Sequence, residues 1–168
     1  MSRERKQLGK IYQDHYKTGI GAEVGCLRGE FSSFLSTKYK GVILSIDSFV
    51  GEAGIPNDSS TEEKCRKNLE QTNCQLIKGE SVDTASMIPN ESLDWVYIDA
   101  DHTYKSIKED LEAWFPKVRK GGVISGHDYV NYNGFGVIDA VDEFCAKYKY
   151  KIEGLFDKDK FASWYFFK

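Results

Sequence analysis

The 168-residue sequence is short of several features that mark whole classes of protein. Its basic and acidic side chains nearly cancel, 23 Lys and Arg against 26 Asp and Glu, for a formal charge of −3. The basic excess that accompanies nucleic-acid binding is therefore missing, and no nucleic-acid partner is expected. No apolar run approaches the ~18 residues of a membrane span, so no membrane partner is expected either. The charged start, Met1-Ser-Arg-Glu-Arg-Lys-Gln-Leu, lacks the apolar stretch and cleavage site of a secretory signal. The four cysteines, Cys26, Cys65, Cys74 and Cys145, form no C-x-x-C pair, which removes the usual signature of a zinc site or a thioredoxin-like centre. Free thiols and a cytoplasmic location are the resulting expectation. With only three prolines, and with 40% hydrophobic and 14% aromatic residues, the chain cannot be a disordered one.

What is present is a single domain's length of alternating strand-like and helix-like segments. Strands are predicted at Gly21–Gly25, Val42–Ile46, Gln75–Lys78, Leu93–Ile98 and Gly121–Ser125. Val42-Ile-Leu-Ser-Ile46 is a continuous apolar run, the pattern of a strand buried on both faces. A helix is predicted from about Glu30 to Tyr39. Another follows a loop at Gly51–Ser60, opening on a capping box, Ser60-x-x-Glu63, and ending near Thr72. Tyr104, Ile107, Leu111, Trp114 and Val118 form one apolar helical face, and Val137, Val141, Phe144, Cys145 and Tyr148 form another.

Two closing strands, Lys151–Phe156 and Phe161–Phe167, are separated only by Asp157-Lys-Asp-Lys160. A parallel crossover needs a dozen residues or more, so these two must pair antiparallel. The expected architecture is α/β: a doubly wound, seven-stranded, mostly parallel, Rossmann-like sheet with an antiparallel C-terminal pair. Residues 1–168 are read as one domain, with residues 1–18 a helical extension outside its core.

Ligands of open α/β sheets sit beyond the carboxyl ends of the strands. In this chain those ends carry Glu23-Val-Gly-Cys-Leu-Arg-Gly29, Asp47, Asp99 to His102 and Gly126-His-Asp128. The spacing Glu23-x-Gly25-x-x-x-Gly29 supplies glycines where backbone must approach a ligand closely. It is not the G-x-G-x-x-G of dinucleotide-binding folds. Asp47 follows Gly25 at the distance expected of an acid that accepts hydrogen bonds from ribose hydroxyls, a feature shared by nicotinamide and S-adenosylmethionine (SAM) binders.

These segments resemble the class I SAM-dependent methyltransferases. Glu23-Val-Gly-Cys-Leu-Arg-Gly-Glu-Phe-Ser32 is similar to their first motif and Leu44-Ser-Ile-Asp47 to their second. Tyr97-Ile-Asp-Ala-Asp-His-Thr-Tyr104 and Gly121-Gly-Val-Ile-Ser-Gly-His-Asp-Tyr129 resemble a small-molecule O-methyltransferase subfamily that includes enzymes of macrolide sugars. The resemblance implies that Gly25, Cys26, Leu27, Arg28 and Gly29 lie along the methionine part of SAM, with Glu23 near its ammonium. Asp47, beside Ser48, would hold the ribose, and Glu80 and Ser81 would border the adenine. Asp99 would serve cofactor and catalysis alike. It also implies a divalent cation, Mg or Mn, at Asp99, His127 and Asp128, although His127 stands where the metal-dependent relatives carry an acid. His102 matches the position of a general base, and an imidazole with an unperturbed pKa near neutral suits that task.

Other readings remain open on the sequence alone. Asp101-His102 also suits a helix cap. The whole chain also admits a non-catalytic SAM-binding module or a nicotinamide-dependent oxidoreductase. The leading expectation is methyl transfer to a hydroxyl of a small molecule, such as a sugar or glycoside. The short chain leaves two arrangements for that acceptor: an open cleft, or a pocket completed by a second subunit of a homo-oligomer.

Overall fold

Residues 3–16, 18–50, 60–130, 132–156 and 161–168 are described in the computed structural model. Among them, six strands of five residues or more and a three-residue seventh form one sheet. These are β1 (Ile20–Val24), β2 (Val42–Asp47), β3 (Cys74–Lys78), β4 (Leu93–Ile98), β5 (Val118–Tyr129), β6 (Gly154–Phe156) and β7 (Ala162–Phe167). Their order is β3-β2-β1-β4-β5-β7-β6. Pairs among β1 to β5 are parallel, and β7 runs antiparallel to both β5 and β6. The helices are α1 (Arg3–His15), α2 (Glu30–Ser36), α3 (Ser60–Leu69), α4 (Ser81–Met87), α5 (Tyr104–Trp114) and α6 (Val137–Tyr148). None among the described residues is long and apolar enough to cross a membrane.

Successive residues of a strand point to opposite faces, and the central strands are apolar at both. Ile43, Trp95, Tyr97 and Val123 face one side, where Leu8 and Tyr12 of α1 and Phe31 and Leu35 of α2 cover them. Their neighbours Leu44, Val96, Ile98 and Ile124 face the other, packed with Ala85 of α4, Ile107, Leu111 and Trp114 of α5, and Val141 and Phe144 of α6. That two-sided burial explains why β2 reads as a continuous apolar run rather than an alternating one.

Several boundaries differ from the sequence reading. The first helix is part of the core and not an extension outside it. Leu8 and Tyr12 are wholly buried, the Tyr12 ring stacks on Trp95 at 4.3 Å and 4°, and its hydroxyl lies 2.5 Å from Ser125 Oγ. Leu8, Tyr12 and Tyr16 recur at helical spacing, which is the sequence signal for this face. Val118 opens β5 instead of closing the helical face, because the helix ends at Trp114 and a single 3-10 turn, Phe115–Lys117 with its proline, redirects the chain. The short helix α4 was not anticipated; its seven residues show little periodicity. Helix α2 stops at Ser36 and α3 at Leu69, each sooner than expected. The predicted loop at Gly51–Ser60 and the link Asp157–Lys160 lie outside the described residues, apart from Ser60, which opens α3.

Candidate active site

In the sheet order, the connections leave β1 in one direction and β4 in the other, so the crevice between their carboxyl ends is where a ligand fits. A cavity of about 700 Å³ opens there. Its wall contains Glu23, Gly25, Cys26, Leu27, Arg28, Asp47, Ser48, Glu80, Ser81, Asp99 and His102, all expected from the sequence. Gly29 stands behind that wall as the N-cap of α2, with a φ of 70°.

The loop after β1 is held by its own backbone. The amides of Gly25 and Cys26 donate to the carbonyl of Ile46 at 2.9 and 3.1 Å. Gly25 has a φ of 85°, and a Cβ there would overlap the carbonyl of Asp99. Leu27 is left-handed at φ 48°, and its amide donates to Asp47 Oδ2 at 2.7 Å. The amide of Phe49 donates to Asp47 Oδ1, also at 2.7 Å. Asp47 is thus fixed by two backbone donors, while each oxygen keeps a lone pair for a ligand hydroxyl.

Glu23 is 2% exposed and accepts from the Ser32 hydroxyl, which also lies 2.6 Å from Ser45 Oγ. Burial outweighs that hydrogen bond and pushes the Glu23 carboxyl up to about 7. Ser81 lines the cavity but spends its hydroxyl within the fold, donating to Asp110 and accepting from Trp114 Nε1 at 2.8 Å. Asp110, on the cavity side of α5, was missed in the sequence. Its signal is an acid inside the apolar stripe of Ile107, Leu111 and Trp114.

Burial pushes the Asp110 carboxyl up to about 7. A group whose folded pKa is raised contributes stability below its unfolded pKa, and that contribution is lost as the pH rises through the folded value. Stability from Asp110 is therefore full below about pH 4 and lost by about pH 7, a difference of about 4 kcal/mol at most. Asp110→Asn is expected to flatten the fall in unfolding free energy between these pH values, measured by denaturant titration. An unchanged slope would show that burial of this carboxyl does not control it.

Arg5 was also missed, because α1 was read as lying outside the core. The docked helix brings its guanidinium into the cavity wall, where it pairs with Asp99. It also lies 5.5 Å from the Phe31 ring centre and 5.8 Å from that of Tyr97.

Beside Asp99 stands a cluster of acids and imidazoles. Ligand atoms of Asp99, His102 and Asp128 lie within 4.8 Å of one another. His102 Nε2 is 2.7 Å from Asp128 Oδ2 and 3.7 Å from Asp99 Oδ1. His127 Nδ1 is 3.0 Å from Asp128 Oδ1 and 3.8 Å from Asp99 Oδ1. The tightest set therefore contains His102, where the sequence reading had His127. The cause is local: the pairing of β5 with β7 breaks its register between Gly126 and Tyr129, and Asp128 takes a left-handed φ of 53° with its carboxylate between the two imidazoles.

The cap reading of Asp101-His102 is corrected. Thr103 caps α5 and accepts from the Ser106 amide, while Asp101 accepts from the Thr103 amide at 2.8 Å. The His102 ring is left for the site and stacks on Phe135 at 4.7 Å. The expectation of an unperturbed imidazole also fails. Burial alone would lower the His102 pKa, but the carboxylates of Asp128 and Asp99 outweigh it and raise it to about 10.

Comparison with known proteins identifies a family and a fold. Residues 22–129 match the family model described as a methyltransferase domain. The chain is 36% identical over 70 residues to an uncharacterized protein of Acanthamoeba polyphaga mimivirus, a match covering 39% of this chain and 31% of that protein. An O-methyltransferase from Bacillus cereus, solved in complex with S-adenosylhomocysteine (SAH), superimposes with a TM-score of 0.76 at 18% identity, over 100% of this chain and 82% of its own. A precorrin-6y C5,15-methyltransferase from Geobacter metallireducens superimposes with a TM-score of 0.72 at 13% identity, over 97% and 87%. At these identities, the two structures establish a shared fold.

Proposed function

The chain belongs to the methyltransferase domain family, and from that premise we propose that it transfers the methyl group of SAM to a hydroxyl of a small molecule, such as a sugar or glycoside. The observation that carries this reading is the contact of two half-sites. A cavity walled by Glu23, the Gly25–Arg28 loop, Asp47 and Glu80 opens directly onto Asp99 and His102. The first half suits an amino acid joined to a nucleoside; the second suits an oxygen acceptor.

The sulfonium makes its methyl group electrophilic, but a neutral hydroxyl is a weak nucleophile and must lose its proton as the bond forms. In this reading His102 receives that proton, and the stack on Phe135 and the 2.7 Å contact with Asp128 support its ring. Its pairing with Asp128 keeps the proton on the imidazole, so the base role requires the carboxylate charge to be met in another way. A donor set of two carboxylates and an imidazole nitrogen fits a borderline divalent cation, manganese better than magnesium; Asp99, Asp128 and His127 would hold it, because a ligated imidazole nitrogen has no lone pair for a proton and His102 is needed as the base. Such an ion, when bound, lowers the pKa of a coordinated hydroxyl. Arg5 already supplies one positive charge at Asp99.

Calorimetry tests the reading with three probes: SAH, NADH and Mn²⁺ alone. SAH is expected to bind in the micromolar range or tighter, and Asp47→Ala is expected to weaken it by more than about tenfold through loss of the ribose acceptor. Binding of NADH without SAH would replace this function with a nicotinamide-dependent one. Absence of any heat with Mn²⁺ would remove the cation from the mechanism.

A further inference from the structure

No cysteine takes part in the proposed methyl transfer, yet two thiols meet at the cofactor loop. Cys26, in the middle of that loop, has its Sγ 3.7 Å from that of Cys65 on α3, 39 residues away in sequence. Both are free and buried, with Leu69 completing a small apolar cluster around them. Cys26 forms part of the cavity wall and Cys65 does not, so the cavity is the side from which a peroxide would approach, meeting Cys26 first. Cys74 packs against the same cluster, but its Sγ donates to the Ser32 carbonyl at 3.4 Å, and Cys145 lies on α6 across the sheet.

We propose that Cys26 and Cys65 form a reversible disulfide on exposure to a peroxide, and that this bond withdraws the loop from its cofactor-binding shape. The chemistry balances as two thiols and one peroxide giving one disulfide and, for hydrogen peroxide, two waters. One thiolate attacks a peroxide oxygen, the O–O bond breaks, and that sulfur becomes a sulfenic acid as the first water leaves. The second sulfur attacks the first, the S–O bond breaks, and the second water leaves. The sum does not depend on which sulfur reacts first.

A disulfide requires the sulfurs to close from 3.7 Å to about 2.05 Å. The loop has little freedom to absorb that movement in place. Gly25, Leu27 and Gly29 all have positive φ, the Leu27 amide is fixed on Asp47, and Asn68 of α3 donates to the Arg28 carbonyl at 2.9 Å. A Cβ on Gly29 would already stand 3.1 Å from Cys65 Sγ, so α3 is seated directly against the end of the loop. Drawing Cys26 toward α3 therefore disturbs the Leu27–Asp47 contact, and with it the ribose acceptor. The effect on binding rests on the reading of this loop as the cofactor cradle; the cross-link does not.

The test oxidises the purified full chain with hydrogen peroxide, blocks residual thiols, maps the peptides by mass and measures SAH affinity by calorimetry. A Cys26–Cys65 peptide is expected, with SAH affinity reduced by about tenfold or more and restored by dithiothreitol. Cys65→Ser is expected to keep its SAH affinity after the same treatment. Should that variant fail to fold, prior saturation of the unmodified protein with SAH gives the second measurement, because a filled cavity is expected to slow the cross-link. Absence of the Cys26–Cys65 peptide overturns the proposal, as does a complete cross-link with unchanged SAH affinity. A reduced protein that binds no SAH, yet cross-links normally, overturns the cofactor reading and the proposed control of binding together.

Discussion

His102→Ala is expected to lower methyl transfer by about 10²–10⁴-fold, the range ascribed to a positioned acid or base, while SAH affinity stays within about twofold. The expectation follows from where the side chain stands. His102 is on the cavity wall next to Asp99, its ring is stacked on Phe135, and Thr103 and Asp101 have already satisfied the start of α5. Its removal therefore takes away the proton acceptor without taking away a cap. It also leaves Asp128, 9% exposed and held well below the usual carboxylate range by His102 and His127, with one cationic partner fewer. Some loss of stability is thus expected as well, and His102→Gln, which keeps a polar group of similar reach, separates the two effects. SAH release on a panel of hydroxylated acceptors is the readout for both variants. Turnover of His102→Ala within threefold of the unmodified protein would exclude a proton-transfer role.

Trp95→Ala is expected to cost about 3–5 kcal/mol of folding free energy, as large aromatic truncations in a packed core do. Trp95 is fully buried on the central strand β4, stacked face to face on Tyr12 and met edge-on by Tyr39 at 5.6 Å. The truncation would leave Tyr12 without its stacking partner, and Tyr12 is one of the residues, with Leu8 and Tyr16, that dock α1. Loss of α1 also withdraws Arg5 from Asp99, so the damage extends from the core to the site. For a chain of this length the expected fall in Tm is on the order of 8–15 °C. Denaturant titration measures the free energy directly. A change below about 1 kcal/mol would mean that the aromatic stack does not hold the helix.

The central strands and their functional ends were legible in the sequence because both follow from short-range pattern. A two-sided apolar run gave β2, and the residues just past it and past β4 gave Asp47 and Asp99. Short connection length gave the antiparallel pairing of β6 and β7. The errors arose where distant residues decide. Arg5 reaches the site because Leu8, Tyr12 and Tyr16 dock α1, with Tyr12 meeting Trp95 across 83 positions of chain, contacts with no local signature beyond the helical spacing of these three residues. That His127 and His102 both stand close to Asp99, at 3.8 and 3.7 Å, follows from a register break and a left-handed Asp128 that no sequence pattern announces. The pKa of His102 was misjudged for the same reason, since its two carboxylate neighbours come from different strand ends.

The place of β7 in the sheet sets an order in time. Among the described residues β6 pairs with β7 alone, and β7 is the strand that joins it to β5. During synthesis, β6 emerges from the ribosome with no neighbour to receive it, and β5 presents an open edge until residues 162–167 have followed. An open edge of this kind is a template for pairing with other chains. Until β7 has paired, slow elongation or a stop before residue 162 therefore leaves β5 open to aggregation.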